Sequence, residues 1–286
     1  MKHLILLILA IVLLQGCSLQ KVAVRTTTPI FGYGIDAIYS EPDLKMAEQA
    51  IASNLKLLEG FHRADPGNEQ LLLMLTQGFA SYALGFVEDA DPERAKLFYL
   101  RSRDYGLTLL KKRGIIKEKM PATDNNFAAA LQKCRKDDVP AVFWTAFAWG
   151  SWINISKDNP RALFDLGKVK AMMQRVMELD ESFFFGSAHL FFGAINGALP
   201  KMLGGNPDKA KEHFERCLQL TDHKFMLGYV YLARYYAQPI LEEDLFDEYL
   251  KTVLEAPVDI LPGYELITAI AQQKARILQK QKEDLF

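Results

Sequence analysis

Three helix starts written in nearly the same way constrain this chain more than any other feature. Asp91-Pro92-Glu93-Arg94-Ala95, Asn159-Pro160-Arg161-Ala162 and Asn206-Pro207-Asp208-Lys209-Ala210 each set a capping side chain before a proline. At the first helical position no backbone N–H is needed, so proline fits there, and the Asp or Asn oxygen accepts one of the orphan donors of the first turn. From Pro42 onward apolar residues recur at helical rather than alternating spacing, and no stretch reads as a strand. Helices are predicted near 42–59, 68–87, 92–112, 125–134, 139–156, 160–179, 183–202, 207–220, 224–238, 243–255 and 263–282. Their connections are short, so neighbours should pack against each other as hairpins.

The starts also hint at repetition. Pro92 and Pro160 lie 68 residues apart, twice the 34-residue tetratricopeptide period, whereas Pro207 follows after a further 47. Ala210, Phe214, Cys217 and Leu218 share one helical face, and Ala95, Tyr99 and Ser102 repeat its first three positions. Small, aromatic, small at those steps suits the second helix of a repeat, though any amphipathic helix can carry it. The predicted fold is all-α, built of degenerate tetratricopeptide-like helical hairpins.

The N-terminus speaks to compartment. Lys2 precedes an unbroken apolar run of eleven residues, Leu4 to Leu14. A membrane-spanning helix needs about 20 such residues, but a signal peptide needs fewer. Leu14-Gln15-Gly16-Cys17 follows and resembles the bacterial lipobox, with Gln15 a looser fit than the usual small residue. Residues 1–16 are therefore expected to be a lipoprotein signal peptide. Residues 17–40 are expected to be a lipidated N-terminus and exposed tether, with acyl chains on Cys17. Residues 41–286 are expected to be the helical domain. Thr26-Thr27-Thr28-Pro29 reads as extended and Phe31-Gly32-Tyr33-Gly34 as loop. Several acyl chains anchor a protein far more stably than one. Ser18, rather than Asp, points to the periplasmic face of the outer membrane.

The formal net charge is −1, and −2 once Lys2 is removed with the leader. So balanced a chain offers no general attraction to nucleic acid or to anionic lipid, and the expected membrane contact is through the lipid anchor only. Lys111-Lys112-Arg113 is brief and sits at a helix end, where cations complement the dipole. Cys134 and Cys217 could form one bridge, but two cysteines in a large helical core are more often buried thiols. His62, His189, His213 and His223 lack metal-ligand spacing, and there is no Cys-x-x-Cys, no nucleophile turn and no phosphate-binding glycine loop. Asp180-Glu181 and Asp247-Glu248 are adjacent acids near helix ends or on solvated faces. The sequence thus supports no enzyme, metal or cofactor.

Aromatic residues concentrate in two helices. Over 139–156, at 100° per residue, Trp144, Phe147, Ala148 and Ser151 gather on one side and Ala141, Thr145, Trp149 and Trp152 on the other. A helix apolar all round must be surrounded by protein. One reading is a central core helix whose indole N–H groups find carbonyls; the other is that one side lines an apolar passage. Both hold if they apply to opposite faces. Phe183-Phe184-Phe185 and Phe191-Phe192 put five rings in ten residues, which cannot all face one way. Leu203-Gly204-Gly205-Asn206-Pro207 reads either as a tight turn or as an anion site at a helix start. Arg234, among Tyr229, Tyr231, Tyr235 and Tyr236, reads as a salt-bridge partner or as a carboxylate clamp.

In their order along the chain, these segments resemble the TatT family, periplasmic tetratricopeptide-like lipoproteins associated with tripartite ATP-independent periplasmic (TRAP) transporters. The resemblance rests on the lipobox and on Asp138-Val139-Pro140-Ala141 leading into the helix with Trp144, Trp149 and Trp152. It continues through Leu203-Gly204-Gly205-Asn206-Pro207 with Ala210, His213, Phe214 and Glu215, then Tyr231-Leu232-Ala233-Arg234-Tyr235-Tyr236-Ala237, Leu245-Phe246 and Val253-Leu254-Glu255-Ala256-Pro257. It implies a hairpin array closed into a compact superhelical body and a homotrimer. It also implies a periplasmic solute-binding protein of a TRAP transporter as partner, and possible conveyance of an organic or hydrophobic ligand. The candidate lining of an internal passage is then Trp144, Phe147, Trp149, Trp152, Phe184, Phe191 and Tyr235. Two rival expectations are an outer-membrane repeat scaffold for envelope assembly or secretion, with an open groove, and a lipid-anchored hydrolase with a polar cleft.

Overall fold

The computed structural model describes residues 16–156, 159–198, 202 and 204–286, and among these the chain is helical with no strand. Its principal helices are α1 (Gly16–Thr27), α2 (Ile30–Tyr39), α3 (Leu44–Ala64), α4 (Glu69–Tyr82), α5 (Pro92–Lys112), α6 (Asp124–Leu131) and α7 (Val139–Asn154). They continue with α8 (Leu166–Asp180), α9 (Phe183–Ala198), α10 (Pro207–Gln219), α11 (Met226–Leu232), α12 (Glu243–Glu255) and α13 (Glu265–Lys280). The all-α expectation holds. Residues 1–15 of the predicted leader, the side chain of Cys17, and Leu203 of the turn before α10 lie outside the described residues.

Caps set the helix starts as their chemistry dictates. Asp91 accepts from the backbone N–H of Arg94, and Asn206 from that of Lys209, each with proline next in sequence. Asn68 caps α4 by accepting from Gln70 and Leu71. Two helices do not end where their α geometry ends. α4 continues into a π-helical turn, Ala83–Val87, and α11 into another, Ala233–Ala237, the wider winding that single inserted residues produce.

Two predicted elements differ. The helix expected over 160–179 is broken: Pro160–Leu163 forms a short piece against α7, and α8 begins afresh at Leu166. The second segment packs on α6, α7 and α9, and Gly167 sits so close to α6 that an added Cβ would fall 1.8 Å from an Asp124 carboxylate oxygen. Residues 18–40, expected as extended chain and loop, are helical through α1 and α2. Thr26, Thr27 and Thr28 turn their hydroxyls back onto carbonyls three and four residues upstream instead of extending the chain. Pro29 then stands just before α2, where its missing N–H costs nothing. Both helices dock: Arg25 pairs with Asp65 at 2.7 Å, Asn68 donates to the buried Thr28 hydroxyl at 3.1 Å, and Phe31 tilts against Phe61.

The core forms two clusters. One gathers α1 and α3 to α8, with Ala188 of α9 and Leu266 and Ile270 of α13, around Phe79, Tyr99, Phe127 and Phe143; the other gathers the remaining core residues of α9 to α13 around Phe214, Phe225 and Phe246. Cys134 belongs to the first and Cys217 to the second; both are buried free thiols, so no bridge joins them. Burial pushes them up to about 11 and about 12, well away from reactive thiolates.

Candidate functional site

The two clusters do not close completely against each other, and α7 shows why. On one side, α5 comes very near. Gly106 sits where an added Cβ would lie 2.0 Å from the Thr145 hydroxyl, which itself donates to the Ala141 carbonyl at 2.6 Å. Arg103 of α5 lies over the rings of Trp149 and Trp152, at 5.6 and 5.8 Å from their centroids. That side is closely approached by α5. On the other side Trp144 and Phe147 alternate with Gly150, Ser151 and Asn154, and the small residues leave room between the rings.

The room is a partly open cavity of about 170 Å³ with a predominantly apolar lining. α9 supplies Phe184, Ser187, Leu190, Phe191 and Ala194 to its wall, and α13 supplies Leu266, Ile267 and Ile270. The π turn after α4 contributes Leu84 and Phe86, and α11 with its π turn contributes Tyr231 and Tyr235. Of the seven candidate lining residues, Trp144, Phe147, Phe184, Phe191 and Tyr235 meet here. Trp149 and Trp152 do not. They lie on the α5 side of the helix, held by Arg103, and the buried Trp149 indole N–H finds no partner rather than the expected carbonyl.

The three consecutive rings reach their places through an unusual backbone. Phe184, Phe185 and Gly186 have φ of 44°, 63° and 67°, a left-handed turn in which a side chain costs about 1–2 kcal/mol per residue. It separates rings that an ordinary helix would fan out at 100°. Phe183 meets Phe143 at 5.2 Å, Phe184 meets Trp144 edge-on at 4.6 Å, and Phe185 stacks on Phe225 at 4.9 Å. The strain lies at the cavity wall, where it places Phe184 across the end of the tryptophan.

One polar edge interrupts the apolar lining. Glu88 lines both this cavity and an adjoining polar pocket of about 230 Å³, as do Tyr231 and Tyr235. Glu88 accepts from Tyr99 at 2.5 Å and from the buried ammonium of Lys274 at 2.9 Å, while Asp89 accepts from the same ammonium at 2.6 Å. Burial pushes the Lys274 ammonium down, but the two carboxylates more than offset this and hold it above the usual lysine value. Burial likewise raises the phenols of Tyr99 and Tyr231 well above the ordinary range, so both stay protonated donors. Arg234 stands 3.9 Å from Asp89 with its guanidinium against the Tyr235 ring, the arrangement of a salt-bridge partner. At the other candidate, Asn206 itself caps α10, and its own N–H donates to the Asn196 carbonyl, which makes the glycine segment a turn.

A second polar group lies on the outer side of α9. Glu181 holds Arg216 through both oxygens, at 2.9 and 2.7 Å, and the Nε2 of the buried His189 at 3.0 Å. His189 Nδ1 meets His213 Nδ1 at 2.9 Å. The Arg216 guanidinium, with burial opposing and His189 helping, brings the Glu181 carboxyl down to about 2. Burial lowers both histidines; Glu181 opposes this at His189, and the charge of His189 adds to it at His213. Among the described residues, no set of three or more His, Cys, Asp or Glu could hold a metal ion.

The family TAtT, described as TRAP transporter T-component, matches residues 40–286. An uncharacterized protein of Treponema pallidum (strain Nichols) is 23% identical, over 96% of this chain and 94% of its own length.

Proposed function

This chain belongs to the TAtT family of TRAP transporter T-components, and from that premise we propose that it is a lipid-anchored, non-enzymatic accessory of solute uptake that docks the periplasmic solute-binding protein. The observation that supports the reading is a partly open, predominantly apolar pocket in a T-component, lined from both helical cores. A ring-lined space suits an organic ligand with substantial apolar surface, passed to or from the soluble carrier. The membrane subunits of the transporter supply the energy coupling, and the helical body supplies a rigid receptacle. In this reading Cys17 carries the lipid after removal of residues 1–16, and the protein faces the periplasm from the outer membrane as a homotrimer.

The partner is tested by recovering the tethered chain from periplasmic extract with a tag at its C-terminus. Co-recovery of a TRAP solute-binding protein, saturable with the purified pair, is expected. Recovery of envelope-assembly or secretion subunits in its place, with no solute-binding protein, would favour the scaffold reading and overturn this one. Lipidation is tested separately: Cys17→Ser should move the protein from the membrane fraction to the soluble periplasm.

A further inference from the structure

We infer that the polar pocket adjoining the apolar cavity is a head-group subsite. There Arg234 and the Tyr231 hydroxyl receive the carboxylate of a ligand whose apolar part lies beside Trp144. The inference rests on the receptacle reading above and adds the chemical class of the ligand, an amphiphilic monocarboxylate.

The two π turns meet at this place. Such turns are rare local insertions and occur most often at functional sites. The first, Ala83–Val87, leads directly into Glu88 and Asp89, and the Glu88 N–H closes it by donating to the Ala83 carbonyl at 2.9 Å. The second, Ala233–Ala237, carries Arg234 and Tyr235. Glu88, Tyr231 and Tyr235 line the apolar cavity and the polar pocket alike, whereas Asp89, Arg234 and Lys274 line the polar pocket alone. The lining therefore changes from rings to charges across these three shared residues. A ligand seated over that boundary has an apolar body and one polar end.

The hydrogen bonds decide the charge of that end. The acids already have their donor: Lys274, with its side chain 7% exposed, donates to Glu88 at 2.9 Å and to Asp89 at 2.6 Å. Glu88 also accepts from Tyr99. The donors, in contrast, are left over. Arg234 has its side chain 48% exposed and reaches Asp89 only at 3.9 Å, beyond hydrogen-bond length. Among the described residues its guanidinium makes no hydrogen bond. The Tyr231 ring packs on Phe214 and Tyr235, yet among the described residues its hydroxyl makes no hydrogen bond either. Tyr235 accepts from the Asn154 amide at 3.0 Å and so keeps its own proton to donate. Glu88 and Asp89 balance Lys274 and Arg234, so the pocket is neutral while its spare groups are donors. Spare donors suit an anionic acceptor, and the planar guanidinium fork matches a carboxylate. A cationic head would have to compete with the Lys274 ammonium for acids that it already holds.

The test is displacement of N-phenyl-1-naphthylamine from the purified full chain, stripped of bound lipid, by octanoate, octan-1-ol and octylammonium at neutral pH. The three probes share an alkyl chain and differ at the head. Octanoate is expected to displace the dye at a concentration about 10-fold lower than octan-1-ol, the difference one charge-assisted pair makes. Arg234→Gln should abolish that advantage and leave octan-1-ol unchanged, and Arg234→Lys should restore part of it. Loss of a merely structural contact would weaken all three probes together. Equal displacement by octanoate and octan-1-ol, or an advantage that survives Arg234→Gln, overturns the head-group assignment and leaves the apolar receptacle standing. Preference for octylammonium overturns it in favour of Glu88 and Asp89 as the recognising groups. A dye that does not bind, or that none of the three displaces, removes the receptacle itself and this inference with it.

Discussion

The two sides of α7 are made of similar residues and behave differently. Toward α5, Thr145 meets the glycine at 106, and Trp149 and Trp152 lie under the guanidinium of Arg103. Toward α9 and α13, Trp144 and Phe147 face rings of α9 and aliphatic side chains of α13, with Gly150, Ser151 and Ser187 between them, and a cavity results. Hydrophobicity along the helix is therefore not what makes the cavity. The size of the facing residue is: a small residue opposite a large one fills space, and large opposite large, with small ones between, preserves it.

Truncation should break the two sides unequally. Trp149→Ala removes a ring that is 3% exposed and is expected to cost about 4 kcal/mol, measured by denaturant unfolding. Phe191→Ala, at a wall already lacking neighbours on one side, is expected to cost roughly half as much. Equal losses would mean that the cavity side is as tightly packed as the other. Addition of one methyl group sharpens the point. Gly106→Ala must displace Thr145 and is expected to destabilise by about 2 kcal/mol. At Gly150 the nearest atom to a new Cβ is 3.0 Å away on the Phe191 ring, which can move into the cavity. Helix propensity favours alanine by up to about 1 kcal/mol, so Gly150→Ala should fall within about 0.5 kcal/mol of the parent.

The smallest effect concerns pH and lies beyond both faces of α7, on the outer side of α9. Glu181 is lowered to about 2, so its contribution is complete above the ordinary carboxylate value and is lost as pH falls from about 4.5 toward 2. His189 and His213 are also lowered; unfolded chain takes up their protons first, so stability begins to fall below the ordinary histidine value near 6.5. Both act in the same direction. Melting temperature should decline from neutral pH downward, and Arg216→Gln should shrink mainly the lower part of that decline, trimming the part near pH 6 only slightly because Arg216 is the smallest of the influences on His189. Lys274 behaves oppositely, since its raised value keeps its ion pairs intact until strongly alkaline pH.

Much of this architecture was legible before any coordinates. The Asp91-Pro92 and Asn206-Pro207 starts locate α5 and α10, and the periodicity bounds α12 at 243–255. Projection of 139–156 divides the aromatic residues into the two sets that the structure separates. It could not say which set faces open space, because that is decided by Gly106 and Arg103, some forty residues away in sequence. The Thr26-Thr27-Thr28 run misled, since β-branched residues that favour extended chain are tolerated in a helix when their hydroxyls bond backward. The left-handed turn at Phe184–Gly186 has no sequence signature, because two phenylalanines are among the least expected occupants of positive φ. The Glu88–Lys274 pair was missed for another reason: its members stand 186 residues apart, and each alone looks like surface charge.

The central claim is that the space beside Trp144 is a receptacle and not a packing defect. It is tested most directly by titrating the purified chain, stripped of lipid by solvent extraction, with the neutral apolar fluorophore N-phenyl-1-naphthylamine. Saturable fluorescence with one site per chain is expected, together with its loss in Ser151→Trp at unchanged folded content. Absence of saturable binding, or binding of the same strength in Ser151→Trp, would contradict the account.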